Sequence, residues 1–479
     1  MAFKMEDVFL RLDKVRVNIK NPWNIPVTLF AREDVNIEFE GISQLLEFIS
    51  LQKTLQVLSK TEFWDNDAGQ ILEVVLTPDF HKGSGIPVGT VVNTHGFIIP
   101  KAIGNDICCG MRLLVTDLTE DELKNNSQDI KKALRAIFFQ GKRQLPLSVR
   151  QREALLQKGL WGLQETYLDN AGVGLWNYYD EAQQAEELSY VHFQGVLPTQ
   201  NTFALGDFID SASSTAGYDS QIGSVGGGNH FVEIQSISEL FDGATAHIWG
   251  LSPGQITIMV HSGSVGLGHI VGGHFQDCAK AIYPKAIPHP EHGFYPLPTS
   301  GIHKELAASY LDSMNSAANF AFGNRLFLGL MVIMAFSQVL GRKIKSKLIY
   351  DAPHNLIWKN EPKAENYLHR KGACPALGAE PLTNSPFRYT GHPVIIPGSM
   401  GDSSYLLAGE GNSDALASAC HGAGRSLPRG QARNVDEYIY QKNVSLLQVI
   451  TPIDPEDMEI KLRKDILTKY HDRLKEEAP

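Results

Sequence analysis

Five histidines of this 479-residue chain stand in segments that read as turns at strand ends: Asp79-Phe80-His81-Lys82-Gly83, Gly228-Asn229-His230-Phe231, Val260-His261-Ser262-Gly263, Pro353-His354-Asn355 and Cys420-His421-Gly422. Loops at strand ends are where rigid scaffolds build sites. The segment Gly104-Asn105-Asp106-Ile107-Cys108-Cys109-Gly110 adds a carboxylate and a thiol three residues apart, with glycine on both sides. Thiolate, imidazole and carboxylate are all transition-metal ligands, and the flanking glycines allow both side chains to turn toward one cation. Taken alone, the segment reads better as a strand-end turn with a buried cysteine. Asp106, Cys109, His230, His261 and His354 together favour a centre of one or two metal ions. Ligand type leaves zinc, manganese and iron open: softness leans to zinc, a two-ion phosphoryl-transfer site to manganese.

His421 precedes Gly422-Ala423-Gly424 and is followed by Arg425, Arg429 and Arg433, each four residues after the last. On a helix these guanidiniums share a face suited to phosphate, although Pro428 and Gly430 weaken that helix, and a solvated charged face has the same spacing. An imidazole in a glycine turn beside arginines can attack a phosphoryl group while the guanidiniums stabilise its non-bridging oxygens. Glycines at 226–228, in Pro397-Gly398-Ser399-Met400-Gly401 and at 422–424 either expose backbone N–H groups to phosphate or simply make tight turns. The standard fingerprints fail. No GxxxxGK[ST] or HExxH occurs, Leu427 replaces the third glycine of a dinucleotide loop, and Pro397 replaces the first glycine of GxSxG.

Positioning such residues requires strands that end in loops, and the chain supplies them. Ile256 to Val260 and Val394 to Ile396 are β-branched runs, each followed by a turn-forming segment. Thr119 and Glu122 form a capping box ahead of Ile130, Leu134 and Ile137, Arg150 to Tyr167 reads as a second helix, and Pro455 as the first residue of a third. The apolar run Leu326 to Phe336 reads as a buried helix, too short to span a membrane. No solenoid repeat or low-complexity linker divides the chain, so one α+β domain over 1–479 is expected, with central β-sheets flanked by helices.

Lys and Arg total 43 against 53 Asp and Glu, a net charge of −10, which excludes a histone-like basic coat. Hydrophobic residues at 43% exclude a disordered chain. Five cysteines without disulfide spacing point to a reducing, cytoplasmic compartment, and the charged N-terminus is not a secretory signal.

Together these segments resemble the RNA-splicing ligase RtcB family. The matching stretches are TPDFHKGSGIPVG at 77–89, GNDICCGMR at 104–112, GSVGGGNHFVEI at 223–234, HSGSVGLGH at 261–269, AANFAFGNR at 317–325, YDAPHN at 350–355, HPVIIPGSMGDSSY at 392–405 and ACHGAGRSLPRGQA at 419–432. The resemblance implies a GTP-dependent ligase that joins RNA 2′,3′-cyclic phosphate or 3′-phosphate ends to 5′-hydroxyl ends, in tRNA splicing or RNA repair. It implies that Asp106, Cys109, His230, His261 and His354 hold two Mn²⁺ ions, with Cys109 bridging, and that His421 is the nucleophile carrying guanylate. Asn229, Glu233, Asn355, Pro397, Gly398, Ser399, Met400, Ser404, Gly422, Ala423, Gly424 and Arg425 would bind the nucleotide, and Arg425 and Arg429 the RNA phosphates. Lys343, Lys345, Lys347, Lys131 and Lys132 are further candidates for RNA, or an ordinary solvated face. RNA is the expected partner, with no membrane; no protein partner is named by the sequence.

The chain departs from the family pattern at three places. Val265 replaces an arginine of the HSGSRG loop, and Cys108 places a second thiol beside Cys109, which is expected to stand close to the metals. The chain ends at Glu477-Ala478-Pro479, short of the family tail that supplies a tyrosine and a lysine to the guanine pocket. Either the sequence is a shortened product, or its guanine recognition is weaker or built differently. Two other readings stand beside the ligase: a non-ligating RNA-end-binding protein, and a metal-dependent phosphodiesterase that only opens cyclic phosphates.

Overall fold

The computed structural model describes residues 8–35, 37–65, 68–199, 221–360, 365–424 and 447–477. At its centre is a four-stranded antiparallel sheet in the order Ser346–Pro353, Gly110–Thr119, Gln255–Ser262, Phe231–Ser236. Its inner strands are nearly continuous apolar runs because both faces are covered. Leu114, Ile258, Val260 and Leu348 join the largest core on one face, while Met111, Leu113, Val115 and Met259 join Phe387 and Ile395 on the other. The register decides function. Gly110 pairs with both Ser262 and Pro353, and Phe231 pairs with His261, so all four strands bring the metal-ligand candidates to one end of the sheet.

Against this sheet lies the helix Lys304–Leu340, which contains the expected buried run Leu326 to Phe336. It is long and apolar enough to cross a membrane, yet its most apolar stretch is wholly buried in the fold. It is longer than the apolar run because its earlier turns also bury residues, such as Tyr310, Phe320 and Phe322, in the same core as Leu155 and Leu156.

Among the described residues the largest sheet has seven strands, in the order Phe9–Arg11, Arg16–Ile19, Val27–Phe30, Gln70–His81, Val88–His95, Asn366–Lys371, Leu356–Lys359. The helices Phe39–Ile49 and Leu51–Leu58 cover it with Ile42, Leu45, Phe48 and Leu55. Beyond Lys371, the short strand Ala373–Pro375 pairs with Ser418–Cys420 and so delivers His421 to the same region. The architecture is α+β, as expected.

The Thr119–Glu122 capping box forms with both of its hydrogen bonds, but the helix it starts is split into Glu120–Asn125 and Ser127–Phe139. The second expected helix spans Val149–Glu165, capped by Ser148 and interrupted at Gly159. The third begins later than Pro455: the Asp457 side chain accepts from Ile460 N, and the helix starts at Met458 and resumes as Lys464–Glu477. A capping carboxylate set the start where proline alone had suggested it.

Candidate active site

Asp106 and Cys109 lie on the loop that enters Gly110–Thr119, His230 immediately precedes Phe231–Ser236, and His354 immediately follows Ser346–Pro353. His261 differs from the expected turn position: it is inside the strand Gln255–Ser262. Cys109 Sγ is 3.1 Å from His230 Nε2 and 3.0 Å from His261 Nε2, and His230 Nε2 is 3.0 Å from Asp106 Oδ2. The main chain ties the fourth segment in, since His354 N donates to Cys109 O at 2.7 Å. Two donor groups result, Asp106/Cys109/His230 and Cys109/His261/His354, each with ligand atoms within 4.8 Å of one another, and they share Cys109. Gly263 permits this crowding: a Cβ there would stand 2.4 Å from Asp106 Oδ1 and 3.0 Å from Cys109 Cα.

The donors are held as electron-pair donors. His261 Nδ1–H donates to Asn229 O at 3.1 Å, which turns Nε2 toward Cys109. Burial, and then the Asp106 carboxylate, push the Cys109 thiol well above its usual value. Burial, and then neighbouring imidazoles, push His261 and His354 well below theirs. Two neutral imidazoles, a thiol sulfur, a carboxylate and the Nε2 of a third imidazole fit a divalent cation, which would reverse this thiol's preference for its proton.

Cys108, expected to stand close to the metals, joins neither donor group. Its backbone is left-handed (φ 53°), and its side chain belongs to the main core, with Sγ 3.9 Å from Arg325 Nη2. Burial pushes its thiol up to about 12, consistent with an inert core cysteine.

His421 is buried, with its ring centroid 4.7 Å from that of His354 and 6.1 Å from that of His261. Its Nδ1–H donates to Asp79 Oδ2 at 2.9 Å, and the other Asp79 oxygen accepts from the Thr77 hydroxyl at 2.6 Å. That bond places the proton on Nδ1 and leaves the Nε2 lone pair available. Sequence reasoning missed Asp79, although it stands in the quoted 77–89 segment; an acid inside an apolar strand was the available signal, while His81 beside it is exposed. Asp79→Asn is expected to keep the fold yet slow any reaction at His421 by roughly two to four orders of magnitude, because an amide fails to hold this tautomer. A parent-like rate in that variant refutes the role.

Next to the loop after His421 stands the hairpin Pro393–Ile396 with Tyr405–Ala408, which encloses residues 397–404. Gly398 N donates to Ser404 Oγ at 3.2 Å, and Gln235 Nε2 donates to both Ser404 Oγ and Glu233 Oε2, at 2.9 and 2.8 Å. Ala423 N donates to Pro397 O at 3.0 Å, and the Ser399 carbonyl accepts from Asp402 N, so the loop after His421 is stitched to this hairpin. A Cβ added at Gly422 or Gly424 would lie within 4 Å of Asp79, and Met400 packs with Tyr470 and Leu474 of the last helix. Asn229 lends its carbonyl to His261. Asn355 spends its amide on the scaffold, donating to Asp106 O at 3.1 Å and accepting from Gly372 N at 2.8 Å. Gln235 and the buried Lys371, whose ammonium donates to Ile103 O, were not anticipated. Arg425, Arg429 and Arg433 lie outside the described residues. Lys343 pairs with Asp180, Lys132 with Asp129, and Lys347 donates to Trp249 O, as an ordinary surface would have it.

Burial raises the Glu233 carboxyl to about 7, partly offset by the Gln235 amide. A raised carboxyl contributes its stability fully below the unfolded value near 4.5 and loses it as pH rises through about 7. Glu233→Gln is therefore expected to gain about 2 kcal/mol relative to the parent between pH 5 and pH 8, at roughly 1.4 kcal/mol per pKa unit. Thermal melts at both pH values test this; a pH-independent difference between variant and parent contradicts it.

The chain matches the family model described as tRNA-splicing ligase RtcB over residues 68–448. It is 32% identical over 439 residues to the tRNA-splicing ligase RtcB of Thermococcus kodakarensis, covering 88% of this chain and 85% of the relative. It is 32% identical over 446 residues to the protein of the same name from Nanoarchaeum equitans (89% and 87% covered), and 30% over 442 residues to that of Pyrobaculum aerophilum (86% and 84%). With a model match over most of its length and relatives aligned along nearly all of theirs, the chain belongs to the RtcB family of tRNA-splicing RNA ligases.

Proposed function

We propose that this RNA ligase joins RNA 2′,3′-cyclic phosphate or 3′-phosphate ends to 5′-hydroxyl ends through a guanylate carried on His421, and that the whole chain forms one such domain. The observation that carries the reading is the Asp79–His421 pair, whose imidazole ring lies beside those of His354 and His261 in the donor group that shares Cys109. His421 Nε2 attacks the α-phosphorus of GTP; the N–P bond forms as the bond to pyrophosphate breaks, and Asp79 stabilises the charge that develops on the ring. At a 2′,3′-cyclic phosphate end water first adds to phosphorus as the bond to O2′ breaks, leaving a 2′-hydroxyl and a 3′-phosphate; a 3′-phosphate oxygen then takes the guanylate and frees the imidazole. The 5′-hydroxyl attacks the activated 3′-phosphate, and GMP leaves.

Asp106, Cys109 and His230 would hold one Mn²⁺ ion and Cys109, His261 and His354 a second. When bound, these ions supply Lewis-acid stabilisation of phosphoryl oxygens and activate an attacking oxygen. In this reading Asn229, Glu233, Pro397 to Met400, Ser404 and Gly422 to Gly424 would contact the nucleotide, Asn355 would hold the Asp106 and Gly372 backbone behind it, and Arg425, for nucleotide and RNA phosphate, and Arg429, for RNA phosphate, are assigned from sequence alone.

Incubation with Mn²⁺ and α-labelled GTP, with ATP in parallel, followed by denaturing electrophoresis, tests the proposal. An acid-labile label from GTP is expected. Label from ATP alone overturns the choice of nucleotide. Absence of label from both overturns the guanylate mechanism, and cyclic-phosphate loss without joined product then identifies a phosphodiesterase.

A further inference from the structure

Two consecutive residues in the middle of the buried helix Lys304–Leu340 reach every segment of the donor cluster. Asn324 and Arg325 are both fully buried. Side chains one residue apart on a helix point about 100° apart, so the two serve different loops. Asn324 Oδ1 accepts from Gly223 N at 2.8 Å and Ser224 N at 3.2 Å, at the start of the loop that leads to His230. Its Nδ2 donates to Ser224 O, Ser262 Oγ and Gly263 O at 3.0, 3.0 and 3.2 Å, which joins that loop to the residues following His261. Arg325 Nη1 donates to Cys108 O at 2.7 Å and Ser262 O at 3.0 Å, the carbonyls flanking Cys109 and His261. Its Nε and Nη2 hold Asp351 Oδ1 at 2.9 and 2.8 Å, three residues before His354. Gly110 makes room: a Cβ there would stand 3.0 Å from Arg325 Cζ.

The charges balance inside the fold. Asp351 also meets Arg112 at 3.2 Å, and Arg112 meets Glu187 at 3.5 Å, giving two buried cations and two buried anions. A hydrophobic replacement of such a network is often at least as stable, so stability alone does not account for it. What these particular contacts add is direction: Arg325 donates to the Cys108 and Ser262 carbonyls, each next to a metal-ligand candidate, and Asn324 ties Ser224, on the loop that leads to His230, to Ser262 and Gly263 just after His261.

We propose that Asn324 and Arg325 are the positioning residues of the metal centre, fixing the separation of the Cys109, His230, His261 and His354 segments so that one thiolate serves both donor groups. This rests on the reading of Asp106, Cys109, His230, His261 and His354 as metal ligands. Removing a group that orients a ligand typically weakens metal affinity about 10–100-fold. Arg325→Lys keeps the charge opposite Asp351 but lacks the fork that spans Asp351 and two carbonyls at once. Arg112→Lys perturbs the same buried network without touching a carbonyl of a ligand-bearing loop.

The test loads the full-length protein with Mn²⁺ and follows transfer of the ion to a chromogenic chelator, with thermal melts alongside. Arg325→Lys is expected to release metal at least tenfold faster than the parent at a temperature where it is fully folded, and Arg112→Lys to lose stability while staying within twofold of the parent rate. Equal release rates for Arg325→Lys and parent overturn the inference, as does equal acceleration by Arg112→Lys. Should Arg325→Lys fail to fold, Asn324→Ser carries the same expectation; failure of both to fold marks the pair as a folding determinant and overturns the positioning role. A parent that retains no Mn²⁺ instead removes the metal reading itself.

Discussion

Replacing His421 with alanine is expected to abolish covalent guanylylation, a loss of at least about a thousandfold, because no other group replaces a missing covalent nucleophile. Metal content is expected to stay near the parent value. The ring neighbours His261 and His354 but belongs to neither donor group. The variant leaves Asp79 buried without its imidazole partner, although the Thr77 hydroxyl remains, and the expected stability cost is about 1–3 kcal/mol. Labelling with α-labelled GTP and elemental analysis of the same preparation check both halves. Parent-like labelling sinks the nucleophile assignment, and lost metal with lost labelling assigns His421 to the ions instead.

The second large effect is expected from Cys109→Ala. Cys109 is the residue common to both donor groups, so its removal weakens both at once. The purified parent, loaded with Mn²⁺, is expected to hold about two ions, the Cys109→Ala protein fewer than about one, and His230→Ala about one, since His230 serves a single group. Guanylylation should fall with occupancy in each. Unchanged metal content in Cys109→Ala takes it off the ligand list, and equal losses from both substitutions contradict the shared-thiolate arrangement.

Several elements were legible from local chemistry. The Thr119–Glu122 capping box formed because its two hydrogen bonds lie within one turn, and Leu326 to Phe336 is helical and buried because an uninterrupted apolar run has nowhere else to go. Where a single residue was asked to mark a boundary, as at Pro455, a neighbouring side chain set it instead. The direction taken by Cys108 was not legible at all. Two adjacent cysteines look equivalent in sequence, and only the left-handed backbone at 108 sends one into the core beside Arg325 while the other faces His230 and His261.

By itself the sequence determined an inventory: the ligand-type residues, the glycine turns, the His421 loop and the order of segments that carries the family resemblance. It contained no means of joining Asp79 to His421, which are 342 residues apart, or Asn324 to the loops it clasps. Those joins depend on strand register, in which Gly110 meets Ser262 and Pro353 while Phe231 meets His261. Register is chosen by burying both faces of the central sheet at once, because a slip of one residue would exchange its two cores. Only the tertiary structure could decide that, since the energy that selects it is spread over the whole core rather than held by the residues that do the chemistry.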